Sequence, residues 1–212
     1  MRKLTLIFGA LFLFNTHSKA QAYTGQSDFN KTMQSAAIVE LPFENGTTSD
    51  AINNKFKSLG YSSKSSGDYK LYKGIKLAEL GDGTYDIYLK VDKKSKKEKD
   101  RSVVYMLISS GYEKFIPEAA NADLFNNAKT FLNNLMPSVV AVDLENQITA
   151  QEDAVKKANK KLSNLNEDGE DLAKKQKKLE QDIADNKSSI ANQQKEVAAQ
   201  QQILETLKSK RK

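Results

Sequence analysis

The chain has no cysteine and no tryptophan, and its one histidine is His17. Without cysteine there are no disulfides, thiolate nucleophiles or cysteine-bound metals, and no lipid-modified cysteine of the bacterial lipoprotein kind. Because His17 falls in a segment expected to be removed, the mature chain also lacks the imidazole of ordinary zinc sites and Ser-His pairs. These gaps point to a protein that is not an enzyme and that carries no cofactor or metal. Carboxylate chemistry, with Asp82 and Asp86 as the candidates, is the residual enzymatic alternative. Proline is scarce, at three residues in 212, and after Gly111 the only glycine is Gly169. The C-terminal part of the chain therefore has almost nothing to stop a helix.

Long apolar runs are missing too, apart from one at the start. Arg2 and Lys3 precede a stretch from Leu4 to Phe14, and small residues follow at Ser18, Ala20 and Ala22. The stretch is shorter than the roughly 20 residues a membrane-spanning helix needs, so it reads as a signal peptide. We expect residues 1–22 to be removed by cleavage after Ala22, with cleavage after Ala20 fitting nearly as well. The expected location is secreted or periplasmic, with no transmembrane segment in the mature chain. Removal takes three of the 33 basic residues and none of the 27 acidic ones, which lowers the formal charge from +6 to +3.

No aromatic residue occurs after Phe131. Since a globular core needs such side chains, the chain divides near Pro137 into an α+β domain, 23–137, and a coiled-coil helical tail, 138–212. Within the domain, Ala36 to Phe43 reads as a strand ended by Pro42 and a turn at Asn45-Gly46. A helix follows, with Thr48 or Ser49 as its cap, Ile52, Phe56 and Leu59 at helical spacing, and Gly60 as its stop. Three strands come next. The first holds Tyr69 and Leu71 and runs on through Ile75 and Leu77. The second alternates Tyr85, Ile87, Leu89 and Val91 with Asp86, Tyr88 and Lys90. The third, Val103 to Ile108, is apolar on both faces, as expected of a central strand. A last helix carries Phe125, Ala128, Phe131, Leu132 and Leu135 on one stripe. The expected fold class is α+β: a small antiparallel sheet in the order β-α-β-β-β-α, with helices on one face. In outline this resembles helix-grip and TATA-box-binding-protein-like folds, without a shared motif, so the likeness implies architecture and no function.

The tail keeps one heptad phase throughout. With Ile148 at position a, the apolar a residues are Ile148, Val155, Leu162, Ile183, Ile190, Val197 and Leu204. Ala158, Leu165, Leu172, Leu179 and Leu207 are the apolar d residues. That strip must be buried against a partner helix, and β-branched a positions with leucine at d favour a parallel dimer. Gln151, Gln176, Asn186, Gln193 and Gln200 dilute the seam, and Gly169 costs about 1 kcal/mol relative to alanine. A rival arrangement folds the tail back at Asn164–Asp171. The phase continues through that stretch, which favours one long helix, bent at most near Gly169.

Two further features invite a functional reading. Lys93, Lys94, Lys96, Lys97, Lys99 and Arg101 crowd one loop, where they suit an anionic envelope polymer or only a solvated hairpin. No aromatic side chain is interleaved for base stacking, so nucleic acid is not an expected partner. Tyr61, Tyr69, Tyr72 and Tyr88 are candidates for lining a groove, although tyrosine is also an ordinary strand residue. The function expected from these observations is non-enzymatic: coiled-coil self-association, or binding of a helical protein partner, in the envelope or periplasm. A holdase-like periplasmic chaperone is the alternative binding function.

Overall fold

The computed structural model describes residues 21–211, so the expected signal peptide lies almost wholly outside the described residues. The chain forms an α+β fold. Its elements are β1 (Tyr23–Phe29), β2 (Thr32–Leu41), α1 (Asn45–Ser58), β3 (Ser63–Ser66), β4 (Tyr69–Ile75), β5 (Tyr85–Lys93), β6 (Ser102–Ser109), α2 (Ala122–Asn133) and α3 (Met136–Ser209). The six strands make one sheet in the order β1-β2-β6-β5-β4-β3, and every neighbouring pair is antiparallel. The expected β-α-β-β-β-α order is present within this arrangement, joined by two strands that the hydrophobic pattern does not mark. β1 pairs along β2 from Tyr23↔Ile38 to Phe29↔Thr32, which also starts β2 at Thr32 rather than Ala36. β3 reads Ser-Lys-Ser-Ser and is defined by its ladder to β4 alone.

Helix α1 begins at Asn45, where a turn was expected, and Thr48 lies inside it rather than at its cap. The Thr48 N–H already donates to the Glu44 carbonyl at 3.0 Å. Its hydroxyl is instead paired with that of Ser102 on β6 at 2.8 Å, with both residues fully buried. Gly60 has a φ of +84°, the left-handed conformation expected of the helix stop. β4 ends at Ile75, short of Leu77, and a bulge between Tyr72 and Ile75 interrupts its pairing with β5.

Both helices lie on one face of the sheet. Ala51, Ile52 and Phe56 of α1 and Leu124, Phe125, Ala128, Phe131 and Leu132 of α2 cover the inward residues of β2, β4, β5 and β6. Phe56 stacks on Tyr72 at 4.1 Å between ring centroids and meets Phe131 edge-on at 5.9 Å. The opposite face is covered differently. Only Ala37–Leu41 of β2 pair with β6, so the outer part of the β1–β2 hairpin has no further neighbour in the sheet. On a flat sheet, four strand spacings of about 4.8 Å would hold β1 roughly 19 Å from β4. Instead the Phe29 and Tyr69 ring centroids are 5.5 Å apart, so the hairpin bends across the face. There Phe29, Tyr88 and Phe115 pack edge to face, which gives β6 a buried side on both surfaces.

The chain divides into two compact units, the first ending at Ile148 and the second beginning at Thr149. The sheet unit runs past Pro137 because the first turns of α3 contribute to its core: Val139 is fully buried, and Met136 and Val142 pack against it. Pro137 is tolerated there because the first-turn N–H groups of a helix have no intrahelical partner. α3 then continues as one helix of 74 residues, through Gly169 and the whole Asn164–Asp171 stretch. No helix among the described residues is long and apolar enough to cross a membrane.

Candidate functional site

Among the described residues, the feature least explained by the chain's own packing is the apolar strip along α3. Ile148, Val155, Leu162, Leu165, Leu172, Leu179, Ile183, Ile190, Val197, Leu204 and Leu207 are between 43% and 64% exposed. Leu144, at the d position one heptad upstream, extends the strip at 55% exposure. These residues lie on one side of the helix because a three-four alternation returns to nearly the same azimuth every seven residues. Two shallow depressions on the strip lie at the heptad positions that form holes in a coiled coil. One is framed by Gln193, Glu196, Val197 and Gln200, a d-g-a-d set that receives an a-position knob. The other includes Ile190, Gln193, Gln194 and Val197, an a-d-e-a set that receives a d-position knob.

Two polar seam positions have partners on their own helix. The Gln176 side chain donates to Glu180 at 3.0 Å and that of Gln200 to Glu196 at 2.8 Å. Neither bond ties up an apolar seam residue.

The basic loop is partly neutralised from within. Lys94 lies 2.9 Å from Glu40 and 3.7 Å from Glu98, while Arg101 lies 3.8 Å from each of the same two carboxylates. The Lys94 N–H donates to the Arg101 carbonyl and closes the base of the loop. Lys93, Lys96, Lys97 and Lys99 remain exposed.

The remaining candidate groups other than Asp82 are engaged structurally. Asp86 accepts the Gly74 N–H at 2.9 Å beside the β4 bulge, whereas Asp82 stands exposed on its turn. No cluster of three or more metal-ligating side chains occurs among the described residues. The four tyrosines do not share a groove. Tyr72 packs under α1 and donates to Asn53 at 2.8 Å, and Tyr61 donates to the Lys76 carbonyl at 3.2 Å. Tyr69 and Tyr88 are buried on the opposite face. There the Tyr69 hydroxyl donates to the Asp28 carbonyl at 2.9 Å and lies 2.6 Å from the Ser27 hydroxyl. A cleft bordered by Ser49, Asn53, Asp68 and Lys70 holds only about 120 Å³. Ordinary small-molecule sites begin near 300 Å³.

One grouping was not anticipated from the sequence. The Lys90 ammonium lies over the rings of Tyr69 and Tyr105, at 5.6 and 4.9 Å, and pairs with Asp92 at 3.0 Å. Burial opposes its charge, but the Asp92 hydrogen bond and charge outweigh that and hold the amine above its usual value. Period-two alternation places Lys90 beside Tyr88 on one strand. It does not show that β4 and β6 bring tyrosines to either side.

Compared with protein-family models, with curated proteins and with solved structures, the chain has no significant match.

Proposed function

We propose that this chain is an exported, non-enzymatic protein of the envelope or periplasm that works by self-association through α3, with a second copy of the chain as the partner helix. What supports this reading is the row of large aliphatic side chains left about half exposed at a and d positions over some sixty residues. At about 25 cal/mol per Å² of apolar surface removed from water, a matching strip is the most economical cover for it. In a parallel, in-register pair, Lys175 faces Glu180 of the other copy and Asp182 faces Lys187, and no matching g and e positions carry like charges. Such exposed pairs contribute only about 0.2–1 kcal/mol each, enough to favour a register and too little to drive association. Export is supported by the basic, apolar and small-residue succession of residues 2–22.

Sedimentation equilibrium on the chain lacking its signal peptide tests the central claim. A dimer whose dissociation depends on concentration is the expected result. A monomer at the highest attainable concentration overturns the self-association reading.

A further inference from the structure

Two positions, two residues apart, satisfy the small-residue rule for signal-peptide cleavage. Cleavage after Ala22 uses Ala20 and Ala22, and cleavage after Ala20 uses Ser18 and Ala20. Local sequence favours cleavage after Ala22 only slightly, but the two products differ by Gln21 and Ala22, and the fold treats those residues differently.

Ala22 belongs to the folded domain. It is 8% exposed and joins the helix-covered core. Its N–H donates to the Asn133 side-chain oxygen at 2.7 Å, a tie between the start of β1 and the last turn of α2 across 111 residues. Gln21, one residue earlier, is exposed. A chain cut after Ala22 loses the buried methyl and the N–H donor to Asn133, and places a new ammonium on Tyr23, the first residue of β1. A chain cut after Ala20 keeps both contacts and carries its ammonium on exposed Gln21, where water solvates it at no cost to the core.

We propose that the processing site is the Ala20–Gln21 bond, cut by a signal peptidase, and that the mature protein begins at Gln21. The chemistry is peptide hydrolysis: water adds across that bond, giving the Ala20 carboxylate and the Gln21 amine. The inference rests on the export reading, and one experiment separates the two. The full chain is expressed in an exporting bacterial host, and the envelope and soluble fractions are analysed by intact mass and N-terminal sequencing. A mature chain starting at Gln21 is the expected result. A start at Tyr23 overturns this inference and leaves export standing, whereas an unprocessed chain starting at Met1 overturns both. A second measurement tests the physical reason independently of the peptidase. Asn133→Ala lowers the melting temperature of a chain starting at Gln21 and leaves that of a chain starting at Tyr23 unchanged; equal effects on both count against the proposed role of Ala22.

Discussion

Thr48 and Ser102 illustrate how one buried polar pair links a helix to the sheet beneath it. Each hydroxyl is fully buried and each is the other's partner. Removing one leaves the other unsatisfied, so Ser102→Ala is expected to cost about 1–3 kcal/mol. Combining it with Thr48→Val removes both groups and recovers part of that loss, which a double-mutant cycle from urea unfolding measures. Neither hydroxyl could be assigned this role from sequence, where Thr48 looks like a helix cap. Tyrosines carry the second prediction at this scale. Burial raises Tyr69, Tyr72, Tyr88 and Tyr105 above the usual 10.0. Lys90 is also raised, above 10.5, by Asp92 against the opposing effect of burial. In each case the folded state holds its proton more tightly than the unfolded one. The stabilisation is therefore complete below about pH 10 and is lost as pH rises through the raised values. Denaturation midpoints taken from pH 8 upward should stay level until about pH 10 and then fall; a midpoint that held steady through pH 12 would contradict the assignment.

Among the elements, α2 was the most legible. Every residue of its expected stripe is fully buried, because twelve residues with a single apolar side need only one surface to pack on. Phe131→Ala should cost about 3–5 kcal/mol, read from chemical denaturation, since the ring meets Phe56 and leaves a cavity when removed. β1 and β3 were not legible for the opposite reason. β3 has no apolar residue, and β1 mixes polar residues with Gly25, so neither has the alternation that marks a half-buried strand. Each is a strand because a neighbour offers it a ladder of hydrogen bonds. α3 presents a different test, because Gly169 sits mid-helix and the helix runs through it without a break. Gly169→Ala should raise helix stability by about 1 kcal/mol, seen as a higher melting midpoint in far-ultraviolet circular dichroism.

For the whole molecule, the proposed pairing of α3 predicts concentration-dependent association. Replacing Leu172 and Leu179 together with lysine places charge at two d positions. Under the proposed pairing, this variant should sediment as a monomer at concentrations where the parent chain is expected to sediment as a dimer. Its near-ultraviolet tyrosine signal should be unchanged, because every buried tyrosine lies in the sheet unit. Loss of that signal along with the dimer would instead mean that the substitutions act on the fold. The apolar strip was readable from spacing alone, and its exposure in the single chain is what spacing could not supply.

Local pattern was sufficient for the α+β class, the four apolar strands, α2 and the unbroken helical tail, because each follows from a periodicity repeated within a dozen residues or from the absence of helix breakers. Tertiary structure alone decided the two polar strands, the hairpin folded across the second face, the Lys90 cluster and the role of Ala22. The polar strands pair with near neighbours but carry no apolar alternation to mark them. The folded hairpin, the rings flanking Lys90 and the Ala22 contact rest on partners up to 111 residues away, and a linear pattern carries no record of which distant groups will satisfy a buried hydrogen bond or cover a ring.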